Sequence, residues 1–310
     1  MKKKFALMLA VSMAVGTVLA GCGSAANDAA QTAAGAEEQA DTDSAQEAAD
    51  AAESTDDVTA EGTEETGTDS DTASVDTDLI YAVEAGSAGE AAAQDNGLQT
   101  NVVTSQADAL MEVAAGTSDA AIIDLLMAGA MIGEGTSYPN LTHTTELTTE
   151  EYGVGCRKGS DLASYINAVF GESYADGTMK ETAAVYGVQE ALVEQPASEF
   201  VASAEDSDVA YIQEKGNLII GITEFEPMDY KDESGEWVGF DADMARLTAE
   251  KLGVEAQFVV IDWDNKIMEL ESKTIDVVWN GMTLTAETTS AMECTNAYCN
   301  NAQVIVVPAE

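Results

Sequence analysis

The chain has 310 residues and a formal net charge of −45, from 57 acidic against 12 basic side chains. That balance excludes nucleic acid as a partner, because neutralising phosphates needs clustered Lys and Arg. The 1 histidine and 4 cysteines show no transition-metal spacing, and no nucleophile-elbow, phosphate-loop or dinucleotide motif occurs, so no cofactor and no metal is expected.

At the start, Lys2, Lys3 and Lys4 precede the uncharged run Phe5 to Ala20, which closes on Leu19-Ala20-Gly21-Cys22. A basic stretch, an apolar stretch and small residues at a cleavage point predict a secretory signal peptide over 1–21. The apolar run is short for a transmembrane helix. Small residues ending in Cys resemble a lipobox, which implies cleavage before Cys22 and lipidation of its sulfur; an ordinary signal with an incidental Cys is the alternative. Lipid on Cys22 would anchor the protein outside the cytoplasm, and two acyl signals suffice for stable anchoring. Residues 22–77 hold no aromatic residue and no Lys or Arg. Such a stretch cannot bury enough apolar surface to offset its ordering entropy, so a lipidated Cys followed by a disordered acidic tether is expected.

The remaining chain is long enough for two lobes. Leu79–Val83 is strand-like and is followed by the loop Glu84-Ala85-Gly86-Ser87-Ala88-Gly89. Ser105 is placed to cap a helix with Ala109, Leu110, Val113 and Ala114 on one face, ending at Gly116. Ala120–Ile123 predicts a buried strand ending in Asp124. Tyr152–Arg157 is a further strand, Ser160 is expected to cap a helix burying Leu162, Ile166, Val169 and Phe170, and a second helix ends at Gly187. Leu218–Ile222, Ala256–Ile261 and Ile275–Trp279 predict strands; Phe240–Leu252 and Trp263–Leu270 predict the helices between them. Strand–helix alternation of this kind implies an α/β fold with a mostly parallel sheet, and ligands at the strand ends, here Glu224–Pro227 and Gly281–Thr283.

Several motifs in 217–308 occur in a familiar order: Ile220-Gly221, then Pro227 to Tyr230, then Trp237-Val238-Gly239-Phe240-Asp241, then Trp263-Asp264, then Asn280-Gly281-Met282-Thr283, then Gln303–Val307. Together they resemble the first lobe of the amino-acid-binding proteins of ABC importers, solute-binding family 3. The resemblance implies a two-lobed, periplasmic-binding-protein-like type II fold with lobes joined by hinge strands. In that family the first lobe precedes the second; here the order is reversed. The resemblance therefore implies a circular permutation: 78–148 as second lobe, 149–194 as return hinge and closing part of the first lobe, 195–208 as a linker joining the old termini, and 209–310 as first lobe with the outgoing hinge strand. A truncated or mis-assembled reading frame, or lobes exchanged between two chains, would give the same order.

The resemblance also implies the site. Phe225 and Trp263 fall where the family places rings or apolar groups over the ligand, although either position also suits plain core. Asn280, Gly281 and Thr283 match a strand-end turn whose amides and hydroxyl take a carboxylate, and Gly86 and Ser87 match the facing turn. Asp124 matches the carboxylate that takes an α-ammonium; an exposed helix-capping Asp is the alternative. Thr288 stands where the family has a carboxylate-clamping arginine. Lys266 is the nearest substitute, though a solvated helix position is the commoner fate of such a lysine. Glu84, Glu224 and Glu226 are expected to make the pocket's field negative. Cys156, Cys294 and Cys299 allow one disulfide in three pairings, or free thiols. The implied function is a lipid-anchored extracytoplasmic monomer that captures an amino acid or amine by hinge closure and delivers it to an ABC permease. A non-transport sensor and a dehydratase-like enzyme of the same fold are the alternatives.

Overall fold

Residues 75–203 and 205–310 are described by the computed structural model. The expected signal peptide, the lipidation site Cys22 and the tether as far as residue 74 lie outside the described residues. The packed region begins slightly earlier than the expected boundary at 78. Val75 packs against the cluster around Tyr81, whose hydroxyl donates to the Asp76 carbonyl at 2.8 Å.

In chain order the first elements are β1 (Ile80–Glu84), α1 (Ala88–Asp95), β2 (Gln99–Val103), α2 (Gln106–Ala115), β3 (Ala120–Asp124), α3 (Leu125–Met131) and β4 (Leu141–Glu146). Next come β5 (Glu150–Cys156), α4 (Leu162–Asp176), α5 (Thr178–Tyr186), α6 (Asp208–Lys215), β6 (Asn217–Ile222), β7 (Tyr230–Lys231), β8 (Trp237–Val238) and α7 (Phe240–Leu252). The last are β9 (Glu255–Val260), α8 (Lys266–Glu271), β10 (Val277–Thr283), α9 (Ala286–Ala291), β11 (Glu293–Cys294), β12 (Cys299–Asn301) and β13 (Gln303–Pro308).

Two sheets organise these elements. The second-lobe sheet has the order β2-β1-β3-β13-β4, and the first-lobe sheet runs β11-β5-β10-β6-β9 with β12 also on β5. In each sheet three strands are parallel, as the helical crossovers require. The expectation of mostly parallel sheets falls short at the strands that arrive from the other lobe. Strand β13 runs antiparallel to β3, and β5 antiparallel to β10, because a chain leaving one sheet at its ligand edge enters the other from that same edge. The two crossing segments bond to each other: Leu147 N–H donates to the Gln303 carbonyl at 2.7 Å, and Gln303 N–H to Thr148 Oγ1 at 2.9 Å. They form the hinge.

Local chemistry explains the elements. Every residue of β3 is buried, as expected of a strand covered on both faces. Helix α2 begins as expected, with Ser105 Oγ accepting from Asp108 N–H at 3.0 Å, and ends at Gly116 with φ 74°. Helix α7 follows Gly239, which sits at φ 129° against the Met228 carbonyl, where no side chain fits. Tyr298 fills the centre of the first lobe, its ring within 6.3 Å of Tyr152, Phe170 and Phe240.

Some expectations are corrected. The helix over Trp263–Leu270 is a 3-10 turn at 263–265 followed by the short α8, and the Ile275–Trp279 strand is shifted on to Val277–Thr283, with an irregularity between Val278 and Met282. Ser160 Oγ accepts from Leu162 N–H at 3.2 Å as expected, although the position directly before α4 belongs to Asp161, which makes no side-chain cap bond. Its carboxylate instead ties down the end of the 195–208 stretch and the start of α6, accepting from Ser203 N–H at 3.0 Å, Ser207 Oγ at 2.6 Å and Val209 N–H at 3.1 Å. Phe200 stacks edge-on against Tyr165 at 5.1 Å, so this connection lies packed on α4. All three described cysteines are free thiols, Cys156 and Cys299 buried.

Candidate functional site

Between the ligand edges of the two sheets lies a cavity of about 260 Å³. From the second lobe it is lined by Glu84, Gly86, Ser87, Gln106 and Asp124. The first lobe contributes Thr223, Phe225, Trp263, Lys266, the turn Asn280 to Thr283, and Glu287 and Thr288. All nine residues expected at the site therefore meet in one cavity, although the chain carries them on segments far apart in sequence.

Their hydrogen bonds separate walls from free donors. Asn280 is held completely: Oδ1 accepts from Thr223 N–H at 2.9 Å and its hydroxyl at 2.7 Å, while Nδ2 donates to the Thr223 carbonyl at 3.0 Å and Asp229 Oδ2 at 2.8 Å. Gly281 N–H donates to Asp241 Oδ2 at 2.7 Å, and Thr283 Oγ1 to Glu150 Oε2 at 3.0 Å. Gly281 has φ 56°, and a Cβ there would come within 2.5 Å of the Phe225 ring. Glycine is required at this close approach. Thr288 forms a capping box with Thr285 at the start of α9, and its Oγ1 also donates to the Thr283 carbonyl at 2.9 Å. On the facing turn Gly86 N–H donates to Glu90 Oε2 at 2.7 Å, and Ser87 Oγ accepts from Glu90 N–H at 3.1 Å. The donors that the resemblance assigns to a carboxylate, at Gly281 and Thr283, are thus occupied within the protein.

Asp124 is buried and makes no helix-cap bond, which removes the exposed-cap alternative. It accepts from Tyr152 Oη at 2.6 Å, from Gln303 Nε2 at 2.9 Å, and from the amides of Gln106 and Asn301. Burial raises its pKa to about 7, with the Glu150 charge adding and these bonds opposing. Glu84, 2% exposed, has its pKa raised to about 8 by burial, with the Asp124 charge adding and Lys266 opposing. Its Oε1 is buried without a hydrogen-bond partner.

Lys266 is not solvated, contrary to the commoner fate of such a lysine. It is 7% exposed, and its Nζ donates to the Gly86 carbonyl at 2.8 Å and the Trp263 carbonyl at 3.2 Å, 5.1 Å from the Trp263 ring centre. That first bond joins the lobes. Burial lowers its pKa, against the raising charges of Glu287, Asp264, Glu84 and Glu90. Of the three glutamates expected around the pocket only Glu84 lines it; Glu224 is exposed, Glu226 half-buried, and both face elsewhere. Phe225 and Trp263 combine both expected roles, being buried and lining the cavity. Gln106 went unnoticed in the sequence, since a Gln just after a helix cap carries no signal of its own.

Residues 218–310 match the model of the bacterial extracellular solute-binding proteins, family 3. The L-cystine-binding protein TcyJ of Escherichia coli K12 is 33% identical over 85 residues, covering 27% of this chain and 32% of that protein. The cyclohexadienyl dehydratase of Pseudomonas aeruginosa is 32% identical over 85 residues, with the same two coverages. Among solved structures, the arginine-bound form of a truncated ArgBP from T. maritima is 40% identical over 26% of this chain and 39% of that one, at a TM-score of 0.26. The chain thus spans about a third of the length of the curated relatives it matches. Residues 218–310 thus match the bacterial extracellular solute-binding proteins of family 3, and the described residues have the two-lobed α/β architecture of the type II periplasmic-binding-protein fold.

Proposed function

We propose that the chain is a lipid-anchored extracytoplasmic solute-binding protein that captures an amino acid or similar small polar ligand by hinge closure and delivers it to an ABC importer. The observation that carries this reading is a cavity lined from both lobes, with Lys266 reaching across to Gly86. A ligand that touches both walls binds the closed arrangement better than the open one, and that difference is what drives closure. Anchoring rests on the Leu19-Ala20-Gly21-Cys22 motif: a Cys22→Ser chain is expected in the soluble fraction, and its retention on membranes would defeat the anchor. Segment order is read as a circular permutation of a monomer, supported by the way 80–156 and 217–308 complete each other's sheets. The whole reading is tested by thermal-shift screening of the purified chain against amino acids and amines, since a ligand that binds only the native state raises its melting temperature. No stabilisation by either class would overturn it.

A dehydratase reading is favoured by one observation, the pair of buried carboxyl groups Glu84 and Asp124 with pKa values raised toward neutrality beside a relative that is such an enzyme. Consumption of a bound ligand over time would decide for it.

A further inference from the structure

The cavity wall offers little to a carboxylate. Gly281 N–H, the Thr283 hydroxyl, both Asn280 Nδ2 hydrogens and Gly86 N–H are committed to protein acceptors, and Thr288 Oγ1 donates to the Thr283 carbonyl. The one cation on the wall, Lys266, donates to two carbonyls and is surrounded by the charges of Glu287, Asp264, Glu84 and Glu90. Against it the wall carries three carboxyl groups, Glu84, Asp124 and Glu287. Asp124 is saturated by four side-chain donors. Glu84 is not. The Glu84 side chain lines the cavity beside the Asp124 carboxylate with Gln106 next to it, and its Oε1 is buried with no hydrogen-bond partner. A buried acceptor without a partner is destabilising unless a ligand completes it.

Resting on the solute-binding reading above, we propose that Glu84 anchors a cationic head group, and that the ligand of this chain is a small amine or guanidine without an α-carboxylate. The Phe225 and Trp263 side chains supply the apolar wall for its alkyl portion. A carboxylate brought into the same space would meet the Glu84 and Asp124 carboxyl groups, and the one cation there, Lys266, is already bonded twice. A carboxyl group buried at Glu84 is most stable protonated when the site is empty, and an incoming cation favours its ionised form.

The experiment compares ligands that differ only by the carboxylate. Titration calorimetry on the purified full-length chain uses agmatine against arginine, and cadaverine against lysine. The amine of each pair is expected to bind at least as tightly as its amino acid. Glu84→Gln, which keeps the shape but replaces the charge and one acceptor oxygen by an amide, is expected to weaken agmatine at least tenfold with its melting temperature unchanged or raised. If arginine or lysine binds tenfold or more tightly than its amine, this inference falls while solute binding stands. If Glu84→Gln binds agmatine as the native chain does, Glu84 is not the anchor. If neither series binds at millimolar concentration, both this inference and the solute-binding reading fail.

Discussion

Gly86 shows how one residue without a side chain governs contact between the lobes. It sits at φ 67°, and a Cβ there would lie 2.7 Å from the Asp264 Cα of the opposite lobe. Gly86→Ala therefore opposes closure twice, by left-handed strain and by backbone contact, while open space would relieve the second. We expect it to weaken ligand binding at least tenfold in calorimetry while lowering the ligand-free melting temperature only slightly; unchanged affinity would show that the lobes need not meet at this point. Thr288 is the second residue to alter. Its hydroxyl serves the α9 capping box, so Thr288→Arg costs about 1 kcal/mol of stability through the lost cap. The same change brings a guanidinium to a wall otherwise short of free donors, where a bidentate pair is about twice as strong as neutral bonds. Binding of ordinary amino acids should tighten at least tenfold, and calorimetry with arginine or glutamate showing no gain would refute this picture of the wall.

At the scale of elements, the junction of the loop before β7 with the first turn of α7 buries two carboxyl groups, Asp229 and Asp241, directly behind the ligand turn. Asp229 holds Asn280 and Asp241 holds Gly281 N–H and the Tyr298 hydroxyl. Burial raises the Asp229 pKa well above the carboxylate range, with the Asp241 charge adding, and burial raises Asp241 as well. Glu84 and Asp124 are raised in the same way, to about 8 and about 7. Groups with raised folded-state values keep protons that the unfolded chain has already released above about pH 4. Stability contributed by those protons is present at low pH and is lost as pH climbs through the folded values, by up to about 1.4 kcal/mol per pH unit for each proton. Asp161 works the other way, its pKa lowered by bonds to Ser207, Ser203 and Val209 despite the opposing effect of burial, so its contribution is lost only as pH falls below the carboxylate range. The melting temperature should therefore rise from pH 8 to pH 5, and Asp229→Asn should flatten that slope. A profile rising with pH would contradict the buried-acid account.

At the scale of the whole molecule, the hinge among the described residues consists of two crossing segments at 147–150 and 301–303, tied by Leu147–Gln303 and Gln303–Thr148 bonds. Two short connections permit rigid-body rocking of the lobes. Small-angle scattering should show a smaller radius of gyration on saturation with ligand, and one monomeric particle throughout; an obligate dimer would mean that lobes from two chains complete each other. The formal net charge of −45 gives the molecule a negative field. That field favours cations entering the cleft.

Much of this was legible in the sequence because it depends on neighbours along the chain. Helix α7 matches its expected span, since Gly239 and Gly253 bound an uninterrupted amphipathic run with acids in its first turn. The span of α2 followed from Ser105 and Gly116 for the same reason, and the ordered motifs from Ile220 to Thr283 carried the family. The candidate site residues came from the family resemblance, and several of them, Gly86, Asp124 and Gly281 to Thr283, lie at strand ends where α/β sheets bind ligands. What those residues do was decided only in three dimensions. Whether Gly281 N–H is free depends on Asp241, forty positions away; whether Lys266 is solvated depends on Gly86, in the other lobe. Glu84 and Asp124 become neighbours only because β1 and β3 pair in parallel. Sequence spacing sets which backbone groups can bond locally, but burial, and with it the protonation and partnering of a side chain, is a property of the packed whole.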